Sequence, residues 1–158
     1  IEWIIACEDL GSSGDYDFND VVFSVSYAND TKTLYIKPLA AGGTLPIDLC
    51  YGNETLGEIH NLLSPGAPTN KAINASGKGN PGATITKYNV EGFTITENMG
   101  GFKIKVNGKE VNSAYATDTD GDDVPDEDQA VFDSEFHESY FRSAPYFSLD
   151  IDGITVLN

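Results

Sequence analysis

The stretch DVVFSVSY, residues 20–27, carries the clearest secondary-structure signal in the chain. The apolar residues Val21, Phe23 and Val25 alternate with the residues between them, so one side of the stretch is apolar and the other is mixed. Successive side chains of a strand point to opposite faces, and alternation of this kind is therefore typical of a β-strand with one buried face. The stretch predicts a strand and favours a fold built from sheets.

Short stretches of similar character recur along the chain, separated by turn residues such as Gly, Asn, Asp and Pro. Asn107-Gly108 and Asp152-Gly153 are typical of tight turns between two hairpin strands. The candidate strands are IIAC (4–7), TLYIKPL (33–39), LPIDLCY (45–51), ATITKYNV (83–90), GFTIT (92–96), GFKIKV (101–106), YFSLDI (146–151) and GITVL (153–157).

Only one helix is expected, over residues 56–63, where apolar residues fit one helical face and Pro65 follows. A doubly wound α/β fold would need helices between the strands. The pattern instead predicts an all-β, jelly-roll-like β-sandwich with one short helix and long acidic loops. A length of 158 residues favours a single domain over 1–158. No strand is evident in 117–145, so an acidic loop or insertion is expected around 117–140.

The chain is strongly acidic. It has 9 Lys and Arg against 25 Asp and Glu, a formal net charge of −16. No basic cluster is present that could hold nucleic acid or an anionic membrane surface. No apolar run reaches the length of a membrane span, so no direct membrane insertion by this segment is expected. Five of the acids lie in residues 8–20 and ten in 118–138, and such crowding needs dispersed counterions or a bound hard cation.

The first acidic segment links two predicted strands through a Gly/Ser loop. Five carboxylates and one amide oxygen within it suit calcium, which takes six to eight hard oxygen ligands. The competing interpretation is a solvated turn with Asx motifs. The candidate ligands are Glu8, Asp9, Asp15, Asp17, Asn19 and Asp20.

The second acidic segment, residues 118–128, follows the ligand spacing of a calcium loop and resembles the loops of thrombospondin type 3 and dockerin-like repeats. Two positions depart from that pattern, because Asp123 replaces the sixth-position Gly and Gln129 replaces the closing Glu. The competing interpretation is a mobile acidic surface loop. The candidate ligands are Asp118, Asp120, Asp122, Asp126 and the carbonyl oxygen of Val124.

Three segments together resemble the LruC-type domain, found in lipoproteins and secreted proteins of Gram-negative bacteria, notably Bacteroidetes. They are ACEDLGSSGDYDFNDVVFSV (6–25), LAAGGTLPIDL (39–49), and LGEIHNLL (56–63) followed by Asn74. The resemblance covers residues 3–75 well and the rest more loosely. It implies an extracytoplasmic all-β domain, related to calcium-associated domains of large adhesins, with calcium ligands in the 8–20 segment. It also implies the cell surface or outer membrane as the location, and the chain is expected to be a portion of a longer protein.

Few residues suggest catalysis. No nucleophile elbow of the GxSxG type is present. His60 is expected to pack or hydrogen-bond at a helix end, and His137 to lie at the surface. Cys7 and Cys50 are open to two interpretations, as buried small residues or as a disulfide between neighbouring strands. The chain is therefore not expected to be an enzyme, and a hydrolase is the least favoured hypothesis.

Two other hypotheses remain. The first is a calcium-stabilised structural or adhesion module that contacts another surface protein. The alternative is a calcium-dependent carbohydrate-binding module for a surface glycan, with aromatic side chains as its platform, although core packing would explain the same residues. The candidate aromatic residues are Tyr115, Tyr140, Phe141, Tyr146 and Phe147.

Overall fold

β-Strands dominate the computed structural model, which describes residues 2–8, 19–75, 78–94, 99–110, 112–115, 138–143, 148–151 and 154–157. Within these ranges the helical elements are one short α-helix, α1 (Ile59–Leu63), and one 3-10 turn over Met99–Gly101. The strands are β1 (Glu2–Glu8), β2 (Val21–Ala28), β3 (Thr33–Ala40), β4 (Ile47–Tyr51), β5 (Glu54–Glu58), β6 (Lys78–Gly79), β7 (Ile85–Lys87), β8 (Phe102–Val106), β9 (Lys109–Glu110), β10 (Asn112–Tyr115), β11 (Glu138–Ser143), β12 (Ser148–Ile151) and β13 (Ile154–Leu157).

The strands form three sheets. The largest has the order β10-β11-β1-β2-β3-β7, and all of its neighbours are antiparallel except the edge pair β10 and β11. A four-stranded antiparallel sheet has the order β5-β4-β8-β9. A three-stranded sheet has the order β13-β12-β6. Several neighbouring strands are joined by short hairpins, which antiparallel pairing permits.

The hydrophobic core lies between the six-stranded and four-stranded sheets. Phe23 of β2 and Phe102 of β8 are fully buried, and their ring centroids are 4.9 Å apart across the two layers. Complete burial of an aromatic side chain of this size contributes about 1.5 to 3 kcal/mol. The predicted all-β sandwich is therefore confirmed. The core contains Ile5, Cys7, Val21, Phe23, Val25, Leu34, Ile36, Ala41, Ile47, Leu49, Ile59, Phe93, Phe102, Ile104 and Val106.

The two central strands are buried on both faces. The alternating residues of β2 that the sequence assigned to an apolar face all belong to the core. Ile4, Ala6 and Val22, which alternate with core residues, are buried as well, although they lie outside the core cluster. The middle of the six-stranded sheet is therefore more enclosed than alternation alone predicts.

The predicted Asn107-Gly108 turn is confirmed. Val106 pairs with Lys109, so two residues connect β8 to β9. Both have positive φ, 51° for Asn107 and 79° for Gly108, which is the geometry of a type I′ turn. The Asp152-Gly153 turn lies outside the described residues, but Ile151 pairs with Ile154 on either side of it.

Several predicted boundaries were wrong. The helix begins at Ile59 rather than at residue 56, because residues 54–58 form strand β5 and pair with β4. The Glu58 side chain accepts a hydrogen bond from Asn61 N at 3.1 Å and caps the helix at this point. The expected strand over 83–90 is reduced to β7, and residues 92–94 of GFTIT form no strand.

The absence of a strand in 117–145 was also a wrong expectation. β11 occupies residues 138–143 and pairs with β1 on one side and β10 on the other. The sequence ESYFRS shows no alternation of apolar and polar residues. A strand placed between two neighbours gains main-chain hydrogen bonds on both edges, and these do not depend on its side-chain pattern.

Candidate functional site

The fold brings both ends of the first acidic segment to one end of the central strands. β1 and β2 are antiparallel neighbours, and Cys7 pairs with Val21. Glu8, the last residue of β1, and Asp20, just before β2, therefore stand at the same end of this strand pair. Asp20 is half-buried. Three further candidate ligands, Asp9, Asp15 and Asp17, lie outside the described residues.

Asn19 fixes the C-terminal end of this segment by hydrogen bonds to other parts of the chain. Its side chain is buried, and its Nδ2 donates to the carbonyl oxygen of Ala75 at 3.3 Å. Its own carbonyl oxygen accepts from Gly42 N at 2.7 Å. A Cβ atom on Gly42 would lie 2.2 Å from Asn19 Oδ1, so this close approach requires glycine. Asn19 was predicted only as a metal ligand, and its structural role was missed.

His60 is fully buried and is held at both ring nitrogens. Nε2 lies 2.9 Å from the carbonyl oxygen of Gly43, and Nδ1 lies 2.8 Å from Glu58 Oε2. A carbonyl oxygen can only accept a hydrogen bond, so Nε2 is protonated and donates a hydrogen bond to the carbonyl oxygen of Gly43. Glu58 Oε2 also accepts from Ile47 N at 3.0 Å. The expectation that His60 packs and hydrogen-bonds at a helix end is confirmed.

A further contact between remote parts of the chain involves Asn74. Its Nδ2 donates to the carbonyl oxygens of Leu39 at 2.9 Å and Asn80 at 2.7 Å. The contacts of Asn19, His60 and Asn74 together connect the end of β3 and the segment that follows it to three parts of the chain that are remote in sequence. We call this set the Gly42 junction, and it comprises Asn19, Leu39, Gly42, Gly43, His60 and Asn74.

The second acidic segment lies outside the described residues, so Asp118, Asp120, Asp122, Val124 and Asp126 have no described position. His137 lies outside them as well. Within the ranges that the structure describes, no group of three or more His, Cys, Asp or Glu side chains is close enough to hold a metal ion.

The predicted aromatic platform is placed only in part. Tyr115 lies on β10, and Tyr140 and Phe141 lie on β11, where Tyr140 pairs with Glu8. Tyr146 and Phe147 lie outside the described residues. The main chain therefore places two of these aromatic residues directly beside the acidic end of β1.

The two cysteines are buried and are not joined by a disulfide. Cys7 belongs to the core between the sheets. Cys50 follows Leu49, a core residue, and its Sγ lies 3.7 Å from Thr55 Oγ1 on the neighbouring strand. Of the two interpretations that the sequence left open, buried small residues is the one that the structure supports.

A polar cleft on the outer face of the six-stranded sheet was not anticipated. It has a volume of about 300 Å³ and is lined by Ser24 and Ser26 of β2, Tyr35 and Lys37 of β3, and Thr84. These residues occupy the mixed face of the alternating strands. The signal that could have identified them is the hydroxyl and lysine content of that face.

One tyrosine has a shifted acidity. Burial raises the pKa of Tyr51 above its ordinary value of 10.0, and repulsion from Tyr27 raises it further. Tyr51 lies on β4, and its ring centroid is 5.0 Å from that of Phe102. Burial disfavours the charged phenolate, which is why the neutral form persists to higher pH.

Comparisons with family models, curated proteins and solved structures give no match to this chain. Among the elements in the described ranges, no helix has the length and apolar character needed to cross a membrane.

Proposed function

We propose that the chain is a non-enzymatic, calcium-stabilised β-sandwich module with a structural or adhesive role at the cell surface of a Gram-negative bacterium. The observation that carries this proposal is that the two ends of the 8–20 segment, Glu8 and Asp20, lie at the same end of the antiparallel pair β1 and β2. The resemblance of this segment to the LruC-type domain is the reason for proposing calcium as the cation and an extracytoplasmic location.

The physical argument is electrostatic. Five carboxylates in thirteen residues repel one another, and the antiparallel pairing of β1 and β2 holds both ends of the segment together. A hard divalent cation relieves that repulsion by accepting several oxygen ligands at once. Calcium would then stabilise the folded chain, because the unfolded chain does not present the same set of ligands.

Thermal unfolding in EDTA and in millimolar calcium tests this proposal, with magnesium as the control cation. Calcium at a hundred times its dissociation constant stabilises a protein by about 2.7 kcal/mol. For a chain of this size, the expected rise in Tm is about 5 to 10 °C. Magnesium should have a smaller effect because it demands stricter geometry and gives up water reluctantly.

Substitutions in the two acidic segments show which of them causes the calcium-dependent rise in Tm. Asp17→Ala should remove most of the calcium-dependent rise, and Asp120→Ala should remove any contribution of the second acidic segment. Asp30→Ala is the matched control, because Asp30 is exposed in the turn after β2 and carries the same charge. If Asp17→Ala keeps the full rise, the 8–20 segment is not the calcium site.

The alternative is a calcium-dependent carbohydrate-binding module. It is favoured by the position of Tyr140 beside Glu8, because Tyr140 is one residue of the predicted aromatic platform and Glu8 is a predicted calcium ligand. Glycan titration in calcium and in EDTA separates this alternative from a purely structural role. Binding that disappears in EDTA would support it, and absence of binding in calcium would contradict it.

A further inference from the structure

The polar cleft is formed by direct cross-strand neighbours. Ser24 pairs with Lys37, and Ser26 pairs with Tyr35, so these four residues form two adjacent rows across β2 and β3. Residues paired in this way share a face of the sheet. Thr84, just before β7, completes the lining. The cleft therefore rests on regular strands, which hold side chains more rigidly than loops do.

Ser24 is a buried polar residue in the wall of the cleft. Its exposed fraction is 4%, and no hydrogen bond to Ser24 Oγ is present within the described part of the chain. A buried hydroxyl left unsatisfied costs about 1 to 3 kcal/mol. Because Ser24 lines the cleft, a bound molecule can supply a partner for this hydroxyl.

Lys37 brings a positive charge to the cleft of a strongly acidic chain. Lys32, Lys87 and Lys103 each form an ion pair with a glutamate, whereas Lys37 has no ion-pair partner among the residues that the structure describes. It stands opposite Ser24 in the same cross-strand row. An anionic group placed there would form a charge-assisted hydrogen bond with Lys37 and satisfy Ser24.

Tyr35 gives the cleft an apolar wall. Its exposed fraction is 39%, and within the described residues the only other exposed large hydrophobic side chain is Tyr88. A ring exposed beside several hydroxyl groups suits a ligand with one apolar face and a hydroxylated edge. Sugars have this form. The cleft volume is at the lower end of the range of about 300 to 1,000 Å³ for small-molecule sites.

We propose that this cleft binds an acidic sugar residue of a glycan. Lys37 and Ser24 hold the carboxylate, Ser26 and Thr84 contact the sugar hydroxyls, and the Tyr35 ring lies against the sugar ring. None of the residues that line this site belongs to an acidic segment or to β10 and β11. It does not depend on the proposed calcium site.

The first test is an NMR titration of the full chain with two matched sugars, galacturonate and galactose, which differ in one carboxylate. Galacturonate should shift the amide signals of β2, β3 and Thr84, and should bind at least about tenfold more tightly than galactose, as expected for a hydrogen bond to a charged group. Sodium acetate is the third ligand and should bind far more weakly. Equal binding of galactose or of acetate would contradict an acidic-sugar site.

Two pairs of variants test the site, and each pair consists of a cleft residue and a matched control residue outside the cleft. Lys37→Gln should weaken galacturonate binding about tenfold and abolish the preference over galactose. Lys71→Gln removes the same charge from an exposed loop position and should leave binding unchanged. Tyr35→Ala should weaken both sugars, whereas Tyr88→Ala, at a residue with an exposed fraction of 72%, should weaken neither.

The same titrations in EDTA and in calcium separate this proposal from the function proposed above. We expect equal affinity for galacturonate in both buffers. Absence of any amide shift in either buffer overturns the cleft proposal even if calcium raises the Tm. An equal loss of affinity in Lys37→Gln and Lys71→Gln also overturns it, because net charge would then explain the binding.

Discussion

The contact between Gly42 and Asn19 leaves no room for a side chain at position 42. Asn19 Oδ1 approaches Gly42 so closely that an added Cβ would lie 2.2 Å from it, and 2.4 Å from Asn19 Cγ. We expect Gly42→Ala to displace the Asn19 side chain, break its hydrogen bond to Ala75, and lower the free energy of unfolding by about 2 to 4 kcal/mol. Urea unfolding measures this change.

A double-mutant cycle tests the cause of that loss. In an Asn19→Ala background, the two closest side-chain atoms are absent, and the main-chain carbonyl oxygen of residue 19, at 2.8 Å, is the next nearest atom to the new methyl group. The cost of Gly42→Ala should therefore fall by about 1 kcal/mol or more. An unchanged cost would mean that the strain lies in the main chain rather than in the Asn19 side chain.

The sequence indicated Asn19 and His60 for different reasons. The hydrogen bonding of His60 could be predicted from the sequence, whereas the contacts of Asn19 could not. His60 was expected to pack or hydrogen-bond at a helix end, and its Nδ1 lies within hydrogen-bond distance of Glu58 Oε2. Asn19 was assigned as the amide oxygen ligand among the carboxylates of the 8–20 segment. Its contacts with Gly42 and Ala75 could not be predicted, because they depend on how separate loops meet in three dimensions.

The β8–β9 hairpin gives a prediction at the level of one element. Gly108 has a φ of 79°, and a Cβ atom added to it would have no neighbouring atom within 4 Å, so the only cost of a side chain there is main-chain strain. We expect Gly108→Ala to reduce the free energy of unfolding by about 1 to 2 kcal/mol. Thermal or urea unfolding checks this.

A companion substitution in the same turn is the control. Asn107→Gly keeps positive φ available at the first turn position and should change stability by less than about 0.5 kcal/mol. If Gly108→Ala proves equally neutral, the turn has not kept the type I′ geometry in solution.

Most of the core strands could be predicted from alternation, whereas β5 and β11 could not. β2, β3, β4 and β8 pair on both sides and bury one face in the core, so their apolar period of two is strong. The start of α1 was misplaced because Leu56 fits a helical pattern equally well. Gly57, with a φ of 151°, and pairing with β4 keep that stretch extended.

The whole molecule should lose stability at alkaline pH. Tyr51 has a raised pKa in the folded state, so the unfolded chain releases this proton first as the pH rises past 10.0. The unfolded state then binds fewer protons than the folded state, and the free energy of unfolding falls with rising pH. The stabilisation is complete below the unfolded pKa and is lost as the pH rises through the folded pKa.

Denaturant unfolding from about pH 9 to about pH 11 measures this effect. Tyr51→Phe keeps an aromatic ring beside Phe102 and should show a smaller alkaline loss than the parent chain. Tyr88→Phe, at a strongly exposed residue, should retain the parent's loss. Identical curves for parent and Tyr51→Phe would contradict the assignment to Tyr51.

The Gly42 junction also has a consequence for the order of folding. The contact between Asn19 and Ala75 joins residues 56 positions apart, and that between Asn74 and Leu39 joins residues 35 positions apart. Closing such loops loses chain entropy before the contacts can stabilise the chain. We therefore expect the junction to form after the local hairpins, so that damage to it accelerates unfolding far more than it slows folding. The junction would therefore slow the unfolding of a sandwich that has already assembled.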